Sequence, residues 1–185
     1  AEEIHGFAWL DDLVAVGDQK ARKLAQAWLW AWIARYGKGR GPGWTPELTG
    51  RRVIRWIHHA LFVLRGREAA DSSAFFAALA AQAQFLARRW PSAPPGLARF
   101  EALTGLLYAG LSLQGMQHLV APARDALGAE CARQVDAQGG IPTRNPEELL
   151  EVFTLLTWAQ LALDEADQTP APGHLEAIAR IAPTL

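Results

Sequence analysis

The side chains of this sequence that are best suited to chemistry lie between positions 37 and 59. A glycine-rich basic loop, residues 37–44, leads into a helical pattern on which Arg52, Trp56 and His59 follow one another at i, i+4 and i+7. An arginine binds a carboxylate or sulfate through two parallel hydrogen bonds, and a tryptophan ring offers a flat apolar platform. This combination predicts a site for an anionic, ring-shaped ligand.

The predicted binding surface adds neighbouring basic and aromatic side chains from the loop before the helix and from a second loop. Its members are Arg40, Trp44, Arg51, Arg52, Arg55, Trp56, His59 and Arg144. The opposite face is expected to pack in the core, through Val53, Ile54, Ile57, Leu61 and Leu64. A structural interpretation stays open, since arginines on a helix commonly form a solvated face and tryptophans commonly pack inside. The glycine-rich loop follows a helix and lacks the Lys-Ser/Thr of a P-loop, so it does not indicate a phosphate site.

Composition narrows the classes of function. A net charge of -1, with 20% charged and 50% hydrophobic residues, is ordinary for a globular protein and argues against nucleic-acid binding by bulk charge. The single cysteine, Cys131, excludes an internal disulfide and leaves the compartment open. No membrane span and no signal peptide are visible, so the localisation is unassigned. Zinc-ligand spacing is absent, and we expect neither a metal nor a cofactor in this chain.

The elements that must position these residues are helices. The apolar residues repeat with a period near 3.6 almost throughout, and no segment shows the alternation of a strand. Short connections force neighbouring helices to run antiparallel. We therefore predict an all-α fold of antiparallel helical hairpins that form part of an incomplete (α/α) toroid. The expected helices cover about 6–16, 18–36, 46 or 49 to 64, 71–90, 97–113, 119–137 and 145–166, with a last one from about 173 or 174.

A second set of candidate residues lies on the predicted helix 145–166. Glu147, Glu151, Thr154 and Trp158 form a polar and aromatic stripe that either lines a cleft or is solvated surface. A glycoside hydrolase would need two carboxylates that face one cleft. Glu147 and Glu151, one helical turn apart, are the candidates for such a pair, although no acid on another helix is identified as their partner.

Three segments of the chain resemble the N-terminal helical region of heparinase II/III-like proteins. They are residues 5–12 (HGFAWLDD), 44–56 (WTPELTGRRVIRW) and 139–150 (GGIPTRNPEELL). The resemblance implies an incomplete α/α toroid followed by a large antiparallel β-domain, and active members are lyases that cleave uronate-containing glycans by β-elimination. It also implies that residues 1–185 are one helical domain of a longer protein. This domain is not expected to be active without the β-domain.

The chain departs from the active members where catalytic groups would lie. β-Elimination needs a neutralised uronate carboxylate, a base and an acid. Active members carry a Ser-Pro-x-Tyr-His-like segment where this chain has residues 145–149, with Glu148 at the tyrosine position, and an Asn-Asn-His-like segment is missing near residues 98–102. No catalytic residue is therefore assigned. Besides the glycoside hydrolase, two hypotheses remain. The chain is either the helical domain of a polysaccharide lyase (a carbon–oxygen lyase) whose partner is an acidic polysaccharide, or a non-catalytic helical scaffold that binds a glycan or a protein.

Overall fold

The structure, a computed structural model, describes residues 2–185. Over this range the chain is all-helical and contains no strand, which confirms the predicted all-α fold class. Three 3₁₀ turns follow α6, precede α8 and end the chain. The α-helices are α1 Glu2–Gly6, α2 Ala8–Val16, α3 Gln19–Tyr36, α4 Pro46–His58, α5 Ala60–Leu64, α6 Ala69–Arg89, α7 Leu97–Ser112, α8 Val120–Gln134, α9 Pro146–Glu165 and α10 Pro172–Ile181.

Capping side chains fix where the longer helices begin. The Asp18 carboxylate accepts a hydrogen bond of 2.6 Å from the backbone N–H of Ala21 at the start of α3. The Asn145 side chain accepts one of 2.9 Å from the N–H of Glu147 at the start of α9. Each cap satisfies a backbone donor that the first turn of a helix leaves without a partner. Both starts agree with the sequence pattern.

Two predicted helices are interrupted. The expected helix 6–16 is divided at Phe7, whose φ of 61° lies in the left-handed region. The expected helix 46–64 is divided at His59, whose non-helical backbone separates α4 from α5. Leu61 is consequently 90% exposed, so its predicted place in the core is wrong. Asp71 lies in the first turn of α6 and is not the cap of that helix.

The helices alternate between two layers along the chain. Helices α4, α7 and α9 lie side by side, with α7 in the middle, and α6, α8 and α10 pack against them from behind. Helix α7 is buried continuously from Phe100 to Gly110. This alternation of front and back helices is the arrangement that antiparallel hairpins produce. Within residues 2–185, no helix combines the length and the apolarity needed to cross a membrane.

Helices α4 and α7 cross at two glycines. A Cβ atom placed on Gly50 would lie 2.2 Å from the carbonyl oxygen of Glu101, and one on Gly105 would lie 2.5 Å from the Cα atom of Gly50. Real Cβ atoms do not approach other atoms this closely, so a larger residue would push the helices apart. The crossing brings the N-terminal half of α4 against the N-terminal half of α7.

Candidate functional site

A cleft of about 460 Å³ opens on the front layer. Helices α4 and α9 form its long walls, α7 lies at its floor, and α1 and α2 border one end. Leu150, Leu155 and Trp158 supply apolar surface on the α9 side. The charged side chains of the lining are Glu3, Asp11, Arg51, Arg55, Glu101 and Glu151.

At the floor of the cleft, Arg51 forms an ion pair with Glu101. Glu101 is only 3% exposed, and its Oε2 atom is buried without a hydrogen-bond partner. Burial raises the pKa of Glu101 to about 7, and the nearby carboxylates of Glu151 and Glu47 also raise it, while the ion pair with Arg51 opposes them. Protonated and ionised forms of this carboxyl group therefore both occur near neutral pH.

A second ion pair lies at the rim. Arg55 donates a hydrogen bond of 2.7 Å to Asp11 and one of 3.0 Å to the carbonyl oxygen of Gly6. The other carboxylate oxygen of Asp11 lies 2.8 Å from Nε2 of His59. Burial acts to raise the pKa of Asp11, but the hydrogen bonds from His59 and Arg55 outweigh it and hold the pKa below its ordinary value. Asp11 is thus ionised and engaged through both oxygens.

His58 lies between two aromatic rings at the other end of the cleft. Its ring meets those of Tyr108 and Trp158 edge-on, with centroid distances of 5.0 Å to each. The Tyr108 hydroxyl donates to the backbone carbonyl of Trp158 at 3.2 Å. Burial lowers the pKa of His58, so the neutral imidazole is favoured. A second open cavity of about 550 Å³ borders the same three residues.

Arg52 does not belong to this site. It is fully buried, and its guanidinium donates hydrogen bonds to Gln82 Oε1 at 2.6 Å and to the backbone carbonyls of His5 and Gly43 at 2.8 and 3.0 Å. It also lies 4.2 Å from the ring centroid of Trp32. Burial lowers its pKa to about 9, which still leaves it charged at neutral pH. The prediction that Arg52 faces a ligand is wrong because α4 is covered on both sides.

The two tryptophans of the predicted surface are structural as well. Trp56 is fully buried and stacks on Phe75 with a centroid distance of 5.3 Å, which contradicts its predicted exposure. Trp44 donates from its indole N–H to the carbonyl oxygen of Tyr36 at 2.8 Å, and its ring packs edge-on against Phe85. Neither ring lies in the lining of the cleft.

The remaining predicted residues divide between cleft and periphery. Arg51 and Arg55 line the cleft, and His59 contacts it through Asp11. Arg40 is exposed on the basic loop and lies outside the cleft. Arg144 is also outside, because it pairs with Asp136 at 3.2 Å and closes its own loop. The eight residues therefore do not form one surface.

On α9 the cleft-lining interpretation holds for Glu151, Thr154 and Trp158 but not for Glu147, which is exposed outside the lining. The Glu147–Glu151 pair proposed for a glycoside hydrolase therefore does not face one cleft. Sequence reasoning gave no role to Glu101, the carboxylate that does share the cleft with Glu151. The feature of the sequence that could have identified Glu101 is its charge at the start of the long apolar run of α7.

Within residues 2–185, no group of three or more His, Cys, Asp or Glu side chains could hold a metal ion.

Fold and site define an all-α protein with an ion-paired, carboxylate-rich cleft on one layer of helices. The chain is similar to FtsZ-localized protein C of Caulobacter vibrioides (strain NA1000 / CB15N), with 34% identity over 164 residues. The similarity covers 85% of this chain and 27% of the relative, so the chain spans about a quarter of the length of the curated relative that it matches. No protein-family model and no solved structure matches the chain.

Proposed function

We propose that this chain is the helical, glycan-binding domain of a polysaccharide lyase-like protein that acts on acidic, uronate-containing glycans by β-elimination. The observation that carries the proposal is the position of Arg51 and Arg55 in a cleft that also presents the Trp158 ring. The sequence resemblance to heparinase II/III-like proteins supplies the reaction and the substrate class.

The dimensions and chemistry of the cleft fit a sugar. Its volume of about 460 Å³ lies within the roughly 300–1,000 Å³ that is typical of ligand pockets. Arg51 and Arg55 lie one helical turn apart on the same wall and could each bind a uronate carboxylate. Trp158, which is 39% exposed, lines the opposite wall and supplies an aromatic ring for contact with sugar C–H groups. A ligand in the cleft would thus contact the arginines on the α4 wall and the tryptophan ring on the α9 wall.

Among the described residues, the cleft lacks an evident base and acid for β-elimination. Glu148, at the position of the family tyrosine, does not line the cleft. The Tyr108 hydroxyl already donates to a backbone carbonyl, and burial raises its pKa to about 12, which makes it a poor base near neutral pH. We propose that the base and the acid for β-elimination come from the β-domain that the family resemblance implies.

The proposal is tested on the full-length protein with a panel of uronate-containing polysaccharides. Lyase activity produces an unsaturated uronate, which is followed by its ultraviolet absorbance. The double variant Arg51→Met/Arg55→Met should lose binding and activity. Lys38→Met/Arg40→Met is the matched control, because it removes two cations from an exposed loop outside the cleft. If folded wild-type protein neither binds nor cleaves any member of the panel, the proposal is refuted.

A second candidate function is a non-catalytic scaffold that binds a basic segment of a protein. It is favoured by the charge of the cleft, where Glu3, Asp11, Glu101 and Glu151 outnumber two arginines. The name of the similar protein describes localisation with FtsZ, which agrees with a protein as the partner. Binding of a lysine-rich peptide in place of oligouronate, weakened by Glu151→Gln, would favour this function. Binding of oligouronate alone would exclude it.

A further inference from the structure

We infer that Glu101 controls anion binding in the cleft: an anionic ligand group binds Arg51 only as Glu101 takes up a proton and releases the ion pair. This inference rests on the proposed function, which brings a uronate carboxylate into the cleft. The step is an exchange of partners. A proton from solvent adds to a carboxylate oxygen of Glu101, and the ligand carboxylate replaces Glu101 on the Arg51 guanidinium.

The geometry makes this exchange easier at Glu101 than at an ordinary carboxylate. Glu101 Oε1 accepts from Arg51, but the buried Oε2 has neither a hydrogen-bond partner nor contact with water. A buried acceptor without a partner costs about 1–3 kcal/mol, and more when it is charged. The ionised form of Glu101 is therefore held mainly by Arg51. The Arg51 side chain is 30% exposed, so a ligand can reach it from the cleft.

The charges around Glu101 set the direction of the coupling. Arg51 and Glu47 on α4 and Glu151 on α9 act on it, with Arg55 and His58 on α4, Asp11 on α2 and Glu3 on α1 further along the same cleft. Burial and the two glutamates already raise the pKa of Glu101 to about 7. A ligand carboxylate adds another negative charge and takes Arg51 away, and both changes raise this pKa further. Binding of an anion is thus linked to uptake of a proton.

Asp11 and His58, the other cleft groups with shifted pKa values, change their charge below the pH range in which Glu101 titrates. The pKa of Asp11 is held below its ordinary value, so Asp11 keeps its charge and its contact with Arg55. The pKa of His58 is lowered from 6.5, so His58 is neutral above pH 7. A change of affinity above pH 7 that Glu101→Gln abolishes therefore reports on Glu101.

The experiment measures binding of trigalacturonate to the full-length protein by titration calorimetry between pH 6 and 9. For the wild type, we expect the affinity to fall by up to about tenfold per pH unit above pH 7, because one proton is linked to binding. Repeating the titration in two buffers with different ionisation enthalpies should show uptake of up to one proton at pH 8. Glu101→Gln is neutral at every pH, so its affinity should stay constant above pH 7 and exceed that of the wild type at pH 8.

Glu151→Gln is the matched control, because it removes a carboxylate of the cleft that does not hold Arg51. Its affinity should rise, but the dependence on pH should remain. Wild-type binding that is independent of pH and takes up no proton would overturn the inference while leaving the glycan site intact. The same conclusion would follow from an unchanged pH slope in Glu101→Gln. Absence of binding by folded wild type at pH 6 would overturn the glycan site and this inference together. The proton count needs only wild-type protein, so the test survives if Glu101→Gln fails to fold.

Discussion

Arg52→Met is expected to destabilise the fold strongly without altering the cleft. The guanidinium of Arg52 connects four parts of the chain, because it binds the backbone of His5 in α1 and of Gly43 in the basic loop, the side chain of Gln82 in α6, and Thr49 on its own helix. Methionine keeps most of the apolar stem and removes every donor. The variant therefore tests a structural role against the ligand-binding role that the sequence pattern predicts.

The expected loss in the free energy of unfolding follows from the hydrogen-bond acceptors that Arg52→Met leaves buried without a donor. Three of them, on His5, Gly43 and Gln82, are left without their donor in a region where Arg52 is 0% exposed. At about 1 kcal/mol for each stranded acceptor, the free energy of unfolding should fall by roughly 3 kcal/mol. For a chain of this length, that corresponds to a decrease in Tm of roughly 6–12 °C.

Chemical denaturation of the wild type, Arg52→Met and Arg55→Met measures these differences. Arg55→Met is the matched control on the same helix, since the Arg55 side chain is 26% exposed and pairs with the 47% exposed side chain of Asp11. It should cost about 1 kcal/mol or less. The reasoning is refuted if Arg52→Met costs no more than Arg55→Met. It is also refuted if Arg52→Met keeps its stability but loses glycan binding.

Three further predictions concern the elements around the cleft. Gly50→Ala should destabilise by about 1–3 kcal/mol or more in urea denaturation, because its Cβ meets the α7 backbone, whereas Gly6→Ala, whose Cβ would lie 3.7 Å from its neighbours, should be tolerated. The folded-state pKa of Glu101, about 7, lies above its ordinary 4.5, so its stabilising contribution is full below pH 4.5 and is lost as pH rises through 7. The wild type should therefore lose up to roughly 3 kcal/mol relative to Glu101→Gln between these limits, and parallel pH profiles of urea stability would contradict this. Asn145→Ala should cost about 1 kcal/mol by loss of the α9 cap, measured by thermal denaturation, and an unchanged Tm would show that the cap contributes nothing.

The positions of the helices could be predicted because their signals are local. Asp18 and Asn145 are capping side chains directly before helical patterns, and each caps the helix that follows it in the structure. The break at His59 carried no such signal, since neither a proline nor a glycine interrupts the pattern there. Helix periodicity alone therefore overestimated the length of the segment that holds the site residues.

The partners of the site residues could not be predicted, because they depend on contacts between distant segments. Periodicity assigns one wet face to α4, but α4 packs on both sides, and the acceptors of Arg52 come from residues 5, 43 and 82. The ion pair between Arg51 and Glu101 likewise joins two helices 50 residues apart. Arg51 and Arg55 were identified from their type and spacing, whereas the carboxylates that hold them were not.

Helix α7, the floor of the cleft, is buried between its neighbours. We therefore expect it to be less mobile than α9 and the N-terminal helices at the sides of the cleft. The residues from Phe100 to Gly110 are buried without interruption, and their amide protons should exchange with solvent only on global unfolding. Helix α9 and the short helices at the N-terminus each have a solvent-facing side, and can open locally at lower free energy. A ligand would therefore bind next to a rigid base, while α9 and the N-terminal helices adjust to its shape. Deuterium uptake in the presence of ligand should change in α2 and α9 and remain constant in α7.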